Sequence, residues 1–390
     1  MNINAAMALT ILCSGAVLAE SELSWQGFVA QGLIQAPDSG FVNDDGELSA
    51  ELTEIGVNGR YSLSPSWHLA GQLVYLDGGN RYPTGARLDY LFLDWAFYNN
   101  SDWQANLYLG RVKNQHWLYS STRDVPFTRP SIVLPQSVYF DGFRDVAVGS
   151  DGVALQLRRS AAIGDLTFNW SLGTVPISSA QSRLLLGHDV SGDTELQRDH
   201  KASLYWQPTF SAFHVGLIVQ DAVFEYQPGD AEPLSAANFR VQRVMLNLRY
   251  QGERWELATE LQQERVLTQG FFSPQFNRQQ LGQGGYVLAQ YRLTPDWRLF
   301  SWLDYTVLEK DDRWGRQLSA QTGGMLPAYF GYQHTLASGF SVDLTTQLRL
   351  QAELHWNRGA ARLTPVIQPD VLTNNREYWQ LYALQLMYRF

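Results

Sequence analysis

Cysteine is almost missing from this chain of 390 residues: there is one, Cys13, and it falls within the first nineteen positions. If that segment is removed on export, no disulfide can hold the remainder together, and stability has to come from elsewhere. Lysine is nearly as scarce. Lys113, Lys201 and Lys310 are the only three among 29 basic residues, which leaves 26 arginines. Charged residues make up 17% of the chain, a small share for a soluble protein. No run of about eighteen apolar residues occurs, so a transmembrane helix is excluded. The net charge of -9 argues against nucleic acid as a partner and against an anionic lipid surface as the main one.

Aromatic residues, by contrast, are plentiful at 13%, yet the mean hydropathy is only -0.23. Strands with one apolar and one wet face reconcile these values. From Glu20 onward the dominant period is two. Trp103, Ala105, Leu107 and Leu109 alternate with Gln104, Asn106, Tyr108 and Gly110. Leu166, Phe168, Trp170 and Leu172 alternate with Thr167, Asn169, Ser171 and Gly173, and Phe213 to Gln220 repeats the pattern. The longest alternation, Phe340 to Glu353, reads as a single strand with Leu344 on its apolar face and Thr345 on its wet one. Such lengths suit a tilted bilayer crossing.

The connections alternate in length as well. Short turns are expected at Ser64 to Ser66, Asn99 to Asp102, Ala161 to Gly164, Gln207 to Ala212, Gln251 to Arg254, Thr294 to Asp296 and Ala337 to Gly339. Long polar segments fall at 35–50, 77–87, 114–150, 174–200, 222–239, 266–282, 306–322 and 354–377. Eight long loops and seven turns separate about sixteen strands, the first near 22–34, the fourteenth near 325–334 and the last near 379–390. The expected fold is all-β: a transmembrane antiparallel up-and-down barrel with both termini on the short-turn side. Aromatics follow most turns, at Trp67, Trp103, Phe213, Trp255, Trp297 and Phe340, as a membrane–water interface selects. Residues 1–19 read as a signal peptide, with an apolar run from Ala5 to Leu18 and Ala19 before the cut, which leaves 20–390 as one barrel domain.

The closing residues Tyr382, Leu384, Leu386, Tyr388 and Phe390 alternate and end on phenylalanine. This closely resembles the carboxy-terminal signature of Gram-negative outer-membrane barrels. The segment Gly110-Arg111-Val112-Lys113, leading into the longest loop, resembles the start of the constriction loop in phosphate-selective porins. The resemblance to general porins implies an outer-membrane location, passive diffusion of small hydrophilic or anionic solutes, a homotrimer, and handling by the barrel-assembly machinery. No cofactor and no metal are implied.

The third long loop is the least loop-like. It holds Trp117, Tyr119, Val125, Phe127, Ile132, Val133, Leu134, Val138, Tyr139 and Phe140, with Pro126, Pro130 and Pro135 to stiffen it. That composition needs a surface to fold on. The barrel interior is one surface; a neighbour or the mouth is the other, and both readings stay open. Folded inward, it places Arg111, Lys113, Arg123, Asp124, Arg129, Asp141, Arg144 and Asp145 at a constriction opposite wall arginines. The wet wall is expected to carry Arg60, Arg158, Arg243, Arg249, Arg292, Arg298 and Arg349 against Glu54, Glu256, Glu260, Glu264, Asp304 and Asp343. These arginines either contact passing anions or simply pair with the wall carboxylates. A barrel enzyme, or an adhesive or structural barrel, is the rival class. His68, His116, His188, His200, His214, His334 and His355 are scattered, however, and no serine-nucleophile elbow or metalloprotease pair occurs.

Overall fold

The computed structural model describes residues 22–186, 190–230, 232–363 and 376–390; the expected signal peptide lies outside them. Sixteen strands form one closed antiparallel barrel. They are β1 (Leu23–Gln35), β2 (Thr53–Ser64), β3 (Trp67–Asp77), β4 (Gly85–Asn99), β5 (Trp103–Lys113), β6 (Gly149–Ala161), β7 (Gly164–Thr174) and β8 (Asp193–Gln207). The second half is β9 (Phe213–Gln227), β10 (Ala237–Gln251), β11 (Trp255–Gly270), β12 (Asn277–Arg292), β13 (Trp297–Val307), β14 (Tyr332–Asp343), β15 (Leu348–Gly359) and β16 (Tyr378–Arg389). Each strand pairs with its sequence neighbours, and β1 pairs with β16 to close the ring. Closure leaves no unpaired sheet edge, the condition for β-structure in lipid. The terminal Phe390 takes part in it. It exchanges two backbone hydrogen bonds of 3.0 Å with Gly27, and a Cβ on Gly27 would stand 2.3 Å from the Phe390 ring.

Alternation decides the two faces. Leu217, Leu246, Leu257, Leu303 and Leu386 are exposed on the outside, whereas Asn247, Glu260, Asp304 and Gln385 point inward and are buried. At the short-turn end, rings on adjacent strands meet: Trp67 with Trp95 at 5.0 Å, Phe213 with Tyr250 at 4.9 Å, Trp255 with Tyr291 at 4.7 Å. Such cross-strand pairs make the girdle expected at a membrane interface.

The structure corrects three expectations. The alternation from Phe340 to Glu353 is two strands: β14 ends at Asp343 and β15 begins at Leu348. Between them the Thr345 hydroxyl accepts the amides of Gln347 (3.2 Å) and Leu348 (3.0 Å). A polar side chain closing a turn on its own backbone is invisible to a period-two reading. Ala337 to Gly339, taken for the turn, lie within β14, which therefore starts later than 325. Gly339 is needed there because a Cβ would meet the Phe300 ring at 2.6 Å and the Ala352 carbonyl at 2.3 Å. Finally, the middle loops are shorter than expected, 228–236 and 271–276, because β9 to β12 run on. Their outward residues turn polar beyond the apolar band, as with Arg240 on Asp221 (2.5 Å) and Arg265 on Gln279 (2.8 Å). With both faces polar, the alternation fades while the ladder continues.

Candidate pore constriction

The third loop, residues 114–148, turns into the barrel and meets opposite sides of its wall. Along β11 to β15 the wall holds it by its backbone. Glu353 accepts the amides of Ile132 (2.7 Å) and Val133 (2.9 Å), Asp304 that of Ser137 (3.0 Å), and Glu260 that of Leu118 (3.1 Å). Glu260 also accepts the hydroxyls of Tyr139 and Tyr286. Arg349 donates to the Phe127 carbonyl (2.8 Å) and Gln351 to that of Pro130 (3.2 Å). The apolar side chains follow. Ile132 and Val133 pack with Trp379 and Leu381, while Leu134, Val138 and Tyr139 pack with Met245, Leu288 and Trp302. Burial of this kind is what the loop's composition required.

Near its start the loop is pinned by His116, whose ring nitrogens lie 3.0 Å from the Ser203 hydroxyl and 2.9 Å from that of Ser171. Burial first, and Lys201 second, push this imidazole down to about 3, so it is neutral.

Along β2 to β4 the contact is ionic. Arg129 meets Glu54 at 2.5 Å, Arg144 meets Asp89 at 3.1 Å, and Lys113 meets Asp124 at 2.9 Å. Gln72 of β3 also donates to Asp124 (2.7 Å). Arg81, from the second loop, meets Asp141 at 2.9 Å, with Arg123 on its other oxygen at 3.6 Å. Burial pulls the Arg123 guanidinium down to about 10, and Asp141 works against it, so the group stays charged. Arg144 is raised: burial opposes its charge but Asp89 outweighs it. This seam thus gathers five cations (Arg81, Lys113, Arg123, Arg129, Arg144) and four carboxylates (Glu54, Asp89, Asp124, Asp141). Several of its buried polar atoms have no partner among the described residues: Gln72 Oε1, Arg81 Nη1, Arg123 Nη1, Asp124 Oδ1 and Arg129 Nε. Buried polar atoms of this sort call for ordered water.

Arg129 and Arg144 therefore face wall carboxylates, and Arg123 a carboxylate of its own loop, not, as expected, wall arginines. Asp145 pairs with Arg87 (2.5 Å) and Arg144 (3.5 Å) at the edge of the seam. Arg111 is outside it, paired with Asp151 across β5 and β6 at 2.7 Å. On the wall, Arg60 pairs with Asp94 (3.3 Å), Arg249 with Glu256 (2.7 Å), and Arg298 (2.7 Å) and Arg349 (2.5 Å) share Asp343. Arg243 pairs with Glu264. Arg158 and Arg292, near the short-turn end, are exposed and have no carboxylate within ion-pair distance among the described residues. Sequence reasoning missed Arg81, Asp89, His116 and Glu353 as parts of this assembly. Arg81 and Asp89 sit beside a loop of no special composition. Only the pairing register brings Glu353 under Ile132.

At loop level polar wall side chains are covered on every side. Glu54, Gln72, Asn169, Asn247, Asp304 and Gln385, from all sides of the ring, are each at most 5% exposed.

No protein-family model matches the chain, and no curated protein matches its sequence. Among solved structures the chain is similar to the outer-membrane expressed OmpT of Vibrio cholerae, at 11% identity and a TM-score of 0.57 over 96% of this chain and 100% of that one. It is similar to an anion-selective porin from Comamonas acidovorans, at 12% identity and 0.56 over 95% and 100%. It is also similar to Salmonella typhi OmpF, solved with daunomycin, at 11% and 0.57 over 94% and 97%. At such identities the likeness shows the fold alone: a porin-like closed β-barrel of sixteen strands.

Proposed function

We propose that the protein is a diffusion channel of a Gram-negative-type outer membrane, with the short turns in the periplasm. Its narrow path follows the seam between the third loop and β2 to β4. The observation that carries this reading is the inward loop with water-demanding, doubly signed charge between it and the wall. Charges of both signs in the middle of a membrane are tolerable only around water. Five cations against four carboxylates favour small hydrophilic anions slightly, by the field they set up across the path. The reading assigns no catalytic step to the barrel. A trimer is part of the proposal; the Vibrio cholerae OmpT has been solved in a trimer form.

A second reading has its own observation. The buried belt at loop level favours a sealed barrel with a structural or adhesive role. Planar-bilayer recording of the purified protein decides between them. Discrete conductance steps with a mildly anion-selective reversal potential support the channel, and a silent bilayer with correctly folded protein supports the sealed barrel.

A further inference from the structure

Between the third loop and β9 to β13, on the long-loop side, lies a cavity of about 290 Å³, close to the lower end of the range for ligand pockets. It is set apart from the seam by the loop itself, and binding there does not require that the pore conduct. Part of its wall is apolar: Phe140, Phe143, Leu185 and Phe224. Three cations also reach it. Two are already compensated, Arg243 by Glu264 and Lys201 by Asp199. Arg362 is not. Among the described residues no carboxylate comes within ion-pair distance of it. Its Nη2 donates to the Ser137 carbonyl at 3.1 Å, its guanidinium lies 5.0 Å from the centre of the Phe140 ring, and its Nε has no partner. A planar fork beside an aromatic wall suits a carboxylate carried on a flat apolar body.

We propose that this cavity binds a small arylcarboxylate, its ring against Phe140, Phe143 and Phe224 and its carboxylate on Arg362. Among the described residues Arg362 is the one cation of this cavity with no carboxylate at ion-pair distance, which matches a monoanion. A dianion such as phosphate would leave a charge uncompensated close to Glu264, and would waste the apolar wall.

The test is isothermal titration of 2-naphthoate into the detergent-solubilised full-length barrel, with 2-naphthamide and inorganic phosphate as comparisons. One saturable site for the naphthoate is expected, with the neutral amide and phosphate far weaker. Arg362→Gln should weaken binding roughly tenfold or more, the loss of a charge-assisted contact. Glu264→Gln removes the competing carboxylate and should tighten it severalfold, an arm that stands if Arg362→Gln disturbs the loop. Absence of a saturable site overturns the proposal, as does phosphate competing equally or affinity unchanged in both variants. The channel reading is tested separately, by conductance without any probe, so each can fail alone.

Discussion

Along β11 to β15 the third loop is held by its backbone and its apolar side chains, whereas along β2 to β4 it is held mainly by its charges. Glu353, Asp304 and Glu260 receive main-chain amides, and Ile132, Val133 and Tyr139 are buried beside them. Arg129, Arg144 and Asp124, the last on Lys113 of β5, are the handles on the other side, with Val125 packed against the cluster of Phe28, Val74 and Leu76. Main-chain bonds to a buried acceptor do not rearrange without leaving donors unpaired. Ion pairs exchange partners and water more readily, and several polar atoms there already lack partners among the described residues. The first wall is the hinge of the loop and the second is its latch.

The most severe way to break that contrast is to remove the loop from both walls. Replacing residues 118–140 with a short glycine-serine linker should raise single-channel conductance severalfold and admit larger solutes, while the barrel still assembles. Planar-bilayer recording and liposome swelling check it, and unchanged conductance would mean that the loop is no constriction. Next comes the hinge alone. Glu353→Ala strands the buried amides of Ile132 and Val133, at about 1–3 kcal/mol for each unsatisfied group. The loop should fluctuate, read as flickering conductance and faster proteolysis near residue 132, and Glu353→Gln should be milder because one oxygen remains to accept.

The latch should respond through selectivity more than through order. Arg129→Ala removes one of five seam cations and leaves Glu54 with Gln385 as its remaining partner at 3.3 Å. The reversal potential should move toward cations, most visibly at low salt where the Debye length is long. A shift of equal size in Arg292→Ala, far from the seam, would place the selective charges elsewhere. Acid acts on neither of these walls but at the start of the loop, where His116 meets Ser171 of β7 and Ser203 of β8. The depressed histidine value means that the unfolded loop takes up a proton that the folded one refuses. The stabilisation from the neutral ring is complete above the ordinary histidine pKa near 6.5. It is lost as pH falls toward about 3, at about 1.4 kcal/mol per pH unit. Loop order measured by proteolysis should decline across that window, and His116→Gln should flatten the decline.

Much of the fold was legible because two faces in two solvents force a period of two. Both terminal strands and six of the seven turns lie where the pattern put them. The inward loop was legible as a need for burial, since Ile132, Val133 and Tyr139 cannot sit in water. Which wall would take them was not, because Glu353 and Asp304 lie more than 160 residues away and meet the loop only through barrel closure. The partners of the arginines were hidden for the same reason. A strand pattern tells that Arg349 faces inward, but only the ladder sets it beside Asp343 across the turn. Where both faces turn polar, as on β11 above Leu261, or where a turn keeps the alternation, as at Thr345, the two-solvent signal is lost.

That last position supplies the smallest expected effect, on the outer face. Leu344 reads as a mid-strand, lipid-facing residue in the sequence, yet it lies in the turn between β14 and β15, its amide bonded to the Leu348 carbonyl at 2.8 Å and its side chain 52% exposed. At the level of the interface, arginine costs about 0–1 kcal/mol, against roughly 2–4 at the bilayer midplane. Leu344→Arg should therefore assemble almost as wild type, and Leu246→Arg, on the apolar outer face of β10, should not. Urea unfolding of both variants in lipid vesicles measures the difference. Equal damage would restore a single strand through 340–353 and move the turn back to 337–339. Near-silence at Leu344 would confirm that β15 enters the membrane at Leu348, the register that carries Glu353 to the loop and so underlies the hinge wall itself.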